Sequence, residues 1–565
     1  MNSSDSPLTA ARDATAFVAR IFADSQGEQE AVATEAVPVP VLPALTVVQP
    51  ATADAPFQPL AGQNILILGL GASGLAMARW CIRTGAAKVT VADTRQAPPQ
   101  LAALQRELPQ VHFVAGDFTA ALVDGQNYDA VYRSPGLSLD AIAPILGAAV
   151  AGLVRVGGEL SLYAAALEAL KASRGYAPTV LAITGTNGKT TVTSLTGQLV
   201  AHAGKSVAVA GNIGPTLLDT LAEHLDAGTL PDVWVLELSS FQLDAAGGFE
   251  PSAAVVLNVT QDHLDWHESM QAYAAAKAHI FGQQGVMVLN RDDAAVMAML
   301  PQPVPAKLQK PHKLQLRSHM TFGVDMPQRP GDFGLEEVNG MVWLVRALEA
   351  DETRRKRGQE ADELHFQRLM PADALRIRGR HNASNALAAL ALCAAADCAL
   401  GPVLYGLREY RGEPHRVEPI GILHGVEFFD DSKGTNVGAT VAALQGLGAE
   451  RKVVVVMGGE GKGQDFSPLA ATVSRYARGV VLIGRDAPLI RDALASTGVP
   501  LVDAASMQAA VVQANRMAHS GDAVLMSPAC ASFDMFDNYE HRARVFCDAV
   551  KALALDAGVD MESLA

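Results

Sequence analysis

The sequence has few cysteines, and their spacing does not predict disulfides or a structural zinc site. The five are Cys81, Cys393, Cys398, Cys530 and Cys547. Their number is odd and no Cys-x-x-Cys pair occurs among them. Disulfide frameworks belong to oxidising compartments, so this scarcity fits a reducing one.

Long apolar runs and a basic leader are also lacking. The densest apolar run, Ala386 to Ala396, stops at Asp397 and is too short to span a bilayer. The N-terminus has no basic start followed by an apolar core, so a secretory signal is not visible. These features predict a cytoplasmic protein without a membrane-inserted segment.

Positive charge is scarce as well. The 44 Lys and Arg residues stand against 59 Asp and Glu residues, which gives a formal net charge of -15. Nucleic acids are held by basic surfaces, so this balance argues against a nucleic-acid partner. Small phosphate ligands need only a local cluster of cations and stay open. At 565 residues, with 49% hydrophobic and 18% charged residues, the chain should form about three or four globular domains.

The stretch Gly185-Thr186-Asn187-Gly188-Lys189-Thr190-Thr191 indicates a phosphate-binding loop. It follows an apolar run, Val180 to Ile183, that predicts a buried strand, and a helical pattern follows it. Backbone N–H groups at such a turn face an anion, Lys189 reaches the outer phosphates, and Thr190 can ligate Mg²⁺. The spacing is two residues shorter than the common form. A plain glycine turn is the alternative, and the adjoining Lys-Thr makes a nucleotide site the better interpretation.

A second glycine-rich turn, Gly69 to Gly74, follows a predicted strand at Asn64 to Leu68. A helix to about Arg83 and a strand ending in Asp93 complete the dinucleotide-binding fingerprint. Alone the pattern suggests NAD, but the same turn can hold any diphosphate. The turn Ser134-Pro135-Gly136 also follows a predicted strand, and the residues leave a ligand loop and a plain turn equally open.

Polar residues follow two further strands of the second predicted domain. Glu237 ends an apolar strand, where a carboxylate can reach the Mg²⁺ of a nucleotide. His263 lies in a polar loop, residues 258–265, where it could also be an ordinary hydrogen-bonded histidine. Tyr273 and Lys277 share one face of a predicted helix, although a lysine in such a place is most often solvated.

A third predicted domain begins near Gly412. Its strands run into polar, glycine-rich loops at 430–436, 458–463 and 527–534, as in a doubly wound parallel sheet. Lys433, Thr435, Lys462 and Ser532 would share the ligand edge of that sheet and suit a small anion such as an amino-acid carboxylate. Unrelated surface lysines are the alternative.

The predicted fold is therefore α/β with three domains. A Rossmann-like domain spans 59–157, a P-loop ATPase-type domain with a mostly parallel sheet spans 158–411, and a second Rossmann-like domain spans 412–565. Residues 1–58 predict a disordered arm, in which Ala10 to Phe22 could form a short helix. Residues 303–370 predict an insert with a weak strand pattern at 341–345 and a solvated charge run at 351–357.

In this order, the motifs resemble those of the Mur ligases of peptidoglycan synthesis. The resemblance covers about residues 60–300 and 373–550. Shared motifs, most of them also typical of folylpolyglutamate synthases, are those at 185–191, 211–214, 237–243, 262–265, 381–386 and 415–416. Asp-Ser-Lys-Gly-Thr-Asn at 431–436, Gly-Gly-Glu-Gly-Lys-Gly at 458–463 and Ser-Pro-Ala-Cys-Ala-Ser-Phe-Asp at 527–534 are similar to the D-glutamate-adding members.

The resemblance implies an ATP-dependent, amide-forming ligase that acts as a cytoplasmic monomer. It would add D-glutamate to UDP-N-acetylmuramoyl-L-alanine through an acyl phosphate, a step in cell wall biogenesis on which cell shape and division depend. Catalytic roles fall to Lys189, Glu237, His263 and Lys277. One Mg²⁺ would use Thr190 and Glu237, and a second would use His263 and a CO₂-derived carbamate on Lys277. Lys277 is matched by a Tyr-x-x-x-Lys pattern downstream of His263.

The same resemblance implies three groups of binding residues. ATP would contact Gly185, Thr186, Asn187, Gly188, Lys189, Thr190, Thr191, Asn382, Arg416 and Asp431. The UDP-sugar would contact Ala72, Ser73, Asp93, Thr94, Arg95, Ser134, Gly136, Asn212, Ser239 and Gln242. D-Glu would contact Lys433, Thr435, Lys462, Ser532, Phe533 and Tyr539.

Three alternatives remain open from the sequence. A sister ligase of the Mur or folylpolyglutamate synthase type would add another amino acid. An NAD-dependent oxidoreductase built on residues 64–93 would leave the second and third domains unexplained. An ATP-switched binding protein would hydrolyse ATP without needing an amino acid.

Overall fold

A computed structural model describes residues 57–305, 314–349, 364–377, 379–449, 451–559 and 561. The arm predicted for residues 1–58, apart from its last two residues, lies outside the described part of the chain. The charge run at 351–357 also lies outside it.

The first sheet is parallel, and within the described residues its strand order is β3-β2-β1-β4-β5. Its elements are β1 (Asn64–Leu68), α1 (Ala72–Arg83), β2 (Lys88–Asp93), α2 (Leu101–Glu107), β3 (His112–Ala115), β4 (Ala130–Arg133), α3 (Leu139–Ala151) and β5 (Arg155–Gly158). Helix α4 (Glu159–Arg174) leads into the next sheet. Strand β1 is apolar and almost wholly buried, as expected of a parallel strand covered on both faces.

The central sheet carries the phosphate-loop strand in its interior. Its order over the described residues is β16-β15-β14-β13-β10-β9-β6-β8-β7. The parallel part comprises β6 (Thr179–Thr184), α5 (Lys189–His202), β7 (Val207–Gly211), α6 (Leu217–Ala227), β8 (Val233–Glu237), α7 (Ser240–Leu243), β9 (Ala253–Val256), α8 (Leu264–His267), α9 (Met270–Ala278), β10 (Val286–Asn290) and α10 (Ala294–Met297). Because β6 lies between β8 and β9, the loops after these three strands meet at one edge.

The region predicted as an insert extends this sheet. Its strands are β11 (Val304–Pro305), β12 (Leu314–Gln315), β13 (His319–Phe322), β14 (Phe333–Val338), β15 (Met341–Glu349) and β16 (Leu364–Pro371). β13 pairs parallel with β10 and with β14, and the pairs β14–β15 and β15–β16 are antiparallel. β11 and β12 form a separate two-stranded antiparallel sheet. The sequence predicted only β15. β16 was missed because most of its residues are exposed or half-buried, so its apolar signal is weak.

Helices α11 (Arg380–Ala395) and α12 (Leu400–Glu409) connect the central sheet to the third one. The third sheet has the order β17-β18-β22-β19-β20-β21 among the described residues. Its elements are β17 (Glu418–Leu423), β18 (Val426–Asp430), α13 (Val437–Gly448), β19 (Val453–Gly458), α14 (Leu469–Tyr476), β20 (Ala477–Ile483), α15 (Ala487–Leu494), β21 (Leu501–Asp503), α16 (Met507–Met517), β22 (Ala523–Met526) and α17 (Tyr539–Asp556). All pairs are parallel except β17 with β18.

Three large sheets flanked by helices confirm the predicted α/β class. We call the parts of the chain built on them the first, central and third domains. The domain boundaries predicted at 157–158 and 411–412 stay predictions, because the described residues pack as one compact body without a division at these positions. Within the described ranges, no helix combines the length and the apolar character needed to cross a membrane.

Candidate active site

The phosphate loop joins β6 to α5 and needs glycine at two positions. Gly188 has a φ of 85°, and a Cβ there would lie 2.7 Å from Asn385 Oδ1. Gly185 has a φ of 158°, and its Cβ would lie 2.9 Å from the Cβ of Leu257. Because both positions combine positive φ with close neighbours, a side chain would displace the loop from the carboxyl edge of the sheet.

Two lysines converge on one carbonyl of this loop. Lys189 Nζ donates to Gly185 O at 2.8 Å and to Thr186 O at 2.9 Å. Lys277 Nζ donates to the same Gly185 O at 2.9 Å and lies 4.4 Å from the centre of the Tyr273 ring. Lys277 is only 1% exposed, whereas a lysine at such a place in the sequence is most often solvated. The prediction that Lys277 and Tyr273 share one helix face is confirmed.

Burial lowers the pKa of both amines. For Lys277 the pKa falls well below its ordinary value, because burial disfavours the cation and the charge of Lys189 adds to that effect. For Lys189 burial is again the main cause, and the carboxylate of Glu237 opposes it. Lys277 is therefore the amine that loses its proton more readily.

Glu237 is the last residue of β8, and the two oxygens of its carboxylate differ in their hydrogen bonds. Its Oε1 accepts a hydrogen bond from Asn212 Nδ2 at 2.7 Å. Its Oε2 is buried and has no hydrogen-bond partner among the residues that the structure describes. An unpaired buried carboxylate oxygen is costly unless a cation takes it. The donor set therefore fits the Mg²⁺ that the sequence predicted for Glu237.

Thr190, the other residue predicted for that ion, lies in the first turn of α5. Its Oγ1 accepts a hydrogen bond from Arg416 Nη2 at 2.6 Å. Arg416 comes from the start of the third domain, so two residues predicted to contact ATP from distant parts of the sequence touch each other.

His263 lies in the loop after β9 and has a φ of 53°. Its Nε2 lies 3.7 Å from Asp262 Oδ2, and its ring packs edge-on against Phe241 with 4.8 Å between centroids. Burial lowers the pKa of His263, Asp262 opposes this, and the charges of Lys189, Lys462 and Lys277 lower it further. A neutral imidazole beside these cations is suited to bind a metal ion.

Several residues predicted to bind the UDP-sugar lie beside the glycine-rich turn at residues 69–74. Asp93 Oδ2 accepts from Leu70 N at 2.7 Å, and both Asp93 oxygens accept from Arg95 side-chain nitrogens at 2.8 Å. The hydrogen bonds from Arg95 lower the pKa of Asp93 to about 2. Ser134 Oγ donates to Gly69 O at 3.0 Å. The carboxylate thus orients the turn and a guanidinium that can face a diphosphate.

The remaining residues predicted for the UDP-sugar are more scattered. Ala72, Thr94 and Gly136 are exposed near the same turn. Ser73 hydrogen-bonds to Glu159. Ser239 and Gln242 cap α7 reciprocally, since Gln242 N donates to Ser239 Oγ and Ser239 N donates to Gln242 Oε1. Asn212 is committed to Glu237.

A cavity of about 760 Å³ lies between the central and third domains. Predicted ATP residues from distant stretches line it together: Asn187, Gly188, Thr191, Asn382, Arg416 and Asp431. Asp431 Oδ2 accepts from Ser527 Oγ at 2.7 Å, and burial raises the pKa of Asp431 to about 7. A cavity of this size, bordered by a phosphate loop, suits a nucleotide.

The third domain brings some of the predicted D-Glu residues toward this cavity. Lys433 lines it, and its Nζ lies 5.2 Å from the centre of the Tyr539 ring. Lys462 is close enough to lower the pKa of His263. Thr435 N donates to Lys433 O at 2.9 Å. Ser532 is buried and Phe533 is 67% exposed.

Several residues of the site were not singled out from the sequence. Asn258 Oδ1 accepts from Asn187 N at 2.8 Å and holds the phosphate loop. Asn436 exchanges two hydrogen bonds with Asn187, at 3.3 and 3.1 Å, from the third domain. Asp262 lies beside His263, and its Oδ2 accepts a hydrogen bond from Asn436 Nδ2 at 3.4 Å. All three stand inside polar stretches that were recognised, but their partners lie far away in the sequence.

The contact between the first and central domains was also missed. Arg133 Nη2 donates to Asp244 Oδ2, and Trp266 Nε1 donates to Leu137 O at 3.2 Å. These two contacts hold both ends of the turn that contains Ser134. Two ion pairs between α1 and α6 also join the two domains, Arg79 with Asp219 and Arg83 with Asp226.

Comparison with known families gives three matches in chain order. The Mur ligase MurD-like N-terminal domain matches residues 63–158, the Mur ligase middle domain matches 183–322, and the Mur ligase glutamate ligase domain matches 415–530. Among solved structures, MurF ligase from Thermotoga maritima in complex with ADP has a TM-score of 0.51 at 15% identity, covering 88% of this chain and 96% of that one. At such identity the likeness concerns the fold alone.

Relatives called UDP-N-acetylmuramoylalanine--D-glutamate ligase are far more similar in sequence. The one from Albidiferax ferrireducens is 71% identical over 506 residues, 90% of this chain and 99% of the relative. The one from Ralstonia nicotianae is 57% identical over 515 residues, 89% of this chain and 99% of the relative. By these matches, in full agreement with the three sheets and the phosphate loop, the chain belongs to the Mur ligase family.

Proposed function

We propose that this protein is an ATP-dependent ligase that joins D-glutamate to UDP-N-acetylmuramoyl-L-alanine in peptidoglycan precursor synthesis. The name of its relatives supports the substrates. The observation that carries the chemistry is the convergence of Lys189 and Lys277 on Gly185 O, beside the unpaired oxygen of Glu237. Such a cluster concentrates charges where a phosphoryl group would be transferred.

In the first step the L-alanyl carboxylate attacks the γ-phosphorus of ATP. An oxygen–phosphorus bond forms, the bond to the β-phosphate oxygen breaks, and an acyl phosphate and ADP result. Lys189 would stabilise the charge that spreads over the transferred group. Thr190 and Glu237 would hold Mg²⁺, which supplies Lewis-acid stabilisation of that charge.

In the second step the D-Glu amine attacks the carbonyl carbon of the acyl phosphate. An amide bond forms, phosphate leaves, and the amine releases a proton. Lys433, Thr435, Lys462, Ser532, Phe533 and Tyr539 are proposed to hold D-Glu. The reacting amine must be brought to the first two substrates, so Arg416 and Asn436, which already contact the phosphate loop, would secure the closed arrangement.

Lys277 is proposed to carry a carbamate. Its amine is buried and its pKa is lowered, so the neutral form that attacks CO₂ is accessible. A nitrogen–carbon bond forms and a proton is lost, which converts a cation into a carboxylate-like ligand. Together with His263, this group would hold a second Mg²⁺. A cytoplasmic location and a monomeric state complete the proposal, and the cysteine usage supports a reducing compartment.

The experiment is phosphate release from ATP with Mg²⁺ and UDP-N-acetylmuramoyl-L-alanine, run with and without D-Glu. L-Glu, L-Lys and meso-diaminopimelate replace D-Glu in parallel reactions. We expect phosphate and an amide product with D-Glu alone. Release with another amino acid would keep the ligase chemistry and overturn the assigned substrate. Release without any amino acid would favour an ATP-switched binding protein, and absence of turnover would contradict the proposal.

A further inference from the structure

The C-terminal end of helix α11 brings two cysteines together. Cys398 N donates to Cys393 O at 3.0 Å, and Ala396 N donates to Leu392 O at 3.0 Å. Asp397 has a φ of 51°. A left-handed residue with a bond that spans five positions is a Schellman-type helix end, which places the side chains before and after it in contact. Here both of these side chains are thiols.

The two thiols differ in environment although they touch. Cys393 is 1% exposed, whereas Cys398 is half-buried. The neighbouring Cys393 thiol, together with the charge of Lys205, lowers the pKa of Cys398. Lys205 is held at the same turn because its Nζ donates to Ala396 O at 2.5 Å. Of the two sulfurs, that of Cys398 therefore loses its proton more readily.

Both cysteines line a cavity of about 350 Å³ that shares no lining residue with the nucleotide cavity. Phe333 and Arg346 form part of its wall. Arg346 Nε is buried without a hydrogen-bond partner in the described ranges of the chain. The cavity thus gives a small polar molecule access to Cys398, with the cationic Arg346 in its wall.

We propose that Cys393 and Cys398 form a reversible disulfide when the protein meets a peroxide. An attacking and a resolving cysteine must lie close together, be open to the oxidant and differ in environment. Cys393 and Cys398 meet all three conditions. Such a transient bond agrees with the lack of structural disulfides in the chain, since reducing compartments allow disulfides of this kind.

The reaction balances with hydrogen peroxide as the two-electron oxidant. The Cys398 thiolate attacks one peroxide oxygen, a sulfur–oxygen bond forms, the oxygen–oxygen bond breaks, and hydroxide leaves and becomes water on taking a proton. Cys393 then attacks the sulfenic sulfur of Cys398. The sulfur–sulfur bond forms, the sulfur–oxygen bond breaks, and the hydroxyl leaves with the Cys393 proton as a second water.

The test uses the reduced full-length protein with hydrogen peroxide as the probe. Remaining thiols are blocked with N-ethylmaleimide before trypsin digestion without reductant. Both cysteines lie in one tryptic peptide, residues 381–408. We expect this peptide to lose two hydrogen atoms in mass and to carry no maleimide, and dithiothreitol to restore two labelled cysteines.

Cys547 is the internal control, because it is also half-buried while burial raises the pKa of its thiol to about 12. Cys398 should be consumed at least about tenfold faster than Cys547. Cys547→Ser should leave the disulfide unchanged, and Cys398→Ser should abolish it. Equal consumption of the two cysteines would overturn the proposal. So would a peptide that passes directly to sulfinic or sulfonic acid.

Discussion

Arg416 Nη2 donates a hydrogen bond to Thr190 Oγ1 at 2.6 Å, across 226 positions of the sequence. The threonine belongs to the phosphate loop and the arginine opens the third domain. The position of the third domain is thus linked to the hydroxyl that would bind Mg²⁺. We infer that nucleotide binding and domain position affect each other through this pair.

Replacing this arginine should weaken ATP use more than it weakens folding. Loss of a hydrogen bond to a charged donor costs about 1.5–3 kcal/mol, so Arg416→Ala should lower kcat/KM for ATP by about 10- to 150-fold. Steady-state kinetics at varied ATP measures the effect. Arg411→Ala, at an exposed position five residues earlier, is the matched control. An unchanged kcat/KM for ATP in Arg416→Ala would exclude the proposed coupling.

Lys189 should be needed for the chemical step. Lys189→Ala removes a half-buried cation that donates hydrogen bonds to Gly185 O and Thr186 O. The loss of such a preorganised donor should reduce kcat on the order of 10²–10³-fold. Phosphate release at saturating substrates gives kcat, and circular dichroism checks the fold. Lys171→Ala on the exposed side of α4 should behave as wild type, and near-normal turnover of Lys189→Ala would disprove the assigned role.

Lys277 should bind CO₂ covalently. Burial lowers the pKa of its amine, which raises the share of the neutral form that attacks CO₂. Protein equilibrated with ¹³C-bicarbonate should give one carbamate carbon signal, and the signal should be absent in Lys277→Arg. Carbon dioxide-free buffer should lower activity, and added bicarbonate should restore it. A signal that survives in Lys277→Arg would assign the modification to another amine.

Alanine substitutions at two glycines of the turn at residues 69–74 should have different effects. A Cβ at Gly74 would lie 2.0 Å from Gly69 O, whereas a Cβ at Gly71 meets nothing within 4 Å. Gly74→Ala should therefore destabilise the protein by about 1–3 kcal/mol. Gly71→Ala should fold normally but raise KM for the UDP-sugar, because its methyl group would point into the space proposed for the diphosphate. Thermal unfolding and substrate kinetics of the two variants test this, and equal stabilities would contradict it.

Asp431 should make the protein less stable as pH rises from about 4 to 7. Its folded pKa is about 7 and its ordinary value is 3.8, so in this window the folded state keeps a proton that the unfolded state has lost. The free energy of unfolding then falls by up to about 1.4 kcal/mol per pH unit. Asp431→Asn should remove this slope, and the gain in Tm over wild type should be larger at pH 7 than at pH 5.

The exposed Asp548→Asn serves as the control for the charge change. It should shift Tm equally at both pH values. If Asp431→Asn does the same, the buried carboxyl is ionised over the whole range and the assigned direction of its pKa is wrong.

Strands that are buried on both faces were predictable from the sequence. β1, β6, β8 and β22 are apolar runs of four to six residues. That short length and the glycine-rich or polar loops around them distinguish strands from buried helices. The loops that follow them were correctly expected to carry polar side chains to one edge. The three-sheet fold followed from this repetition.

The antiparallel edge of the central sheet was not predictable in the same way. β16 contains His365, Gln367 and Arg368, and its pairing with β15 depends on backbone hydrogen bonds that carry no sequence signal. Likewise, the sequence placed Asn436 in a polar loop but could not give its contact with Asn187. Such contacts depend on how two sheets are placed in space, and no local spacing encodes that placement.

The two sides of the central domain differ in the chemistry of their contacts. The first domain is held by the ion pairs of Arg79, Arg83 and Arg133, two of which have partly exposed arginines. The third domain meets the phosphate loop through the neutral amides of Asn187 and Asn436 and through the hydrogen bond of Arg416 to the neutral hydroxyl of Thr190, with no carboxylate partner in these contacts. Dissolved salt screens exposed charges but hardly affects amide pairs. Ionic strength would therefore loosen the side that would bind the UDP-sugar before it affects the side that would close over ATP.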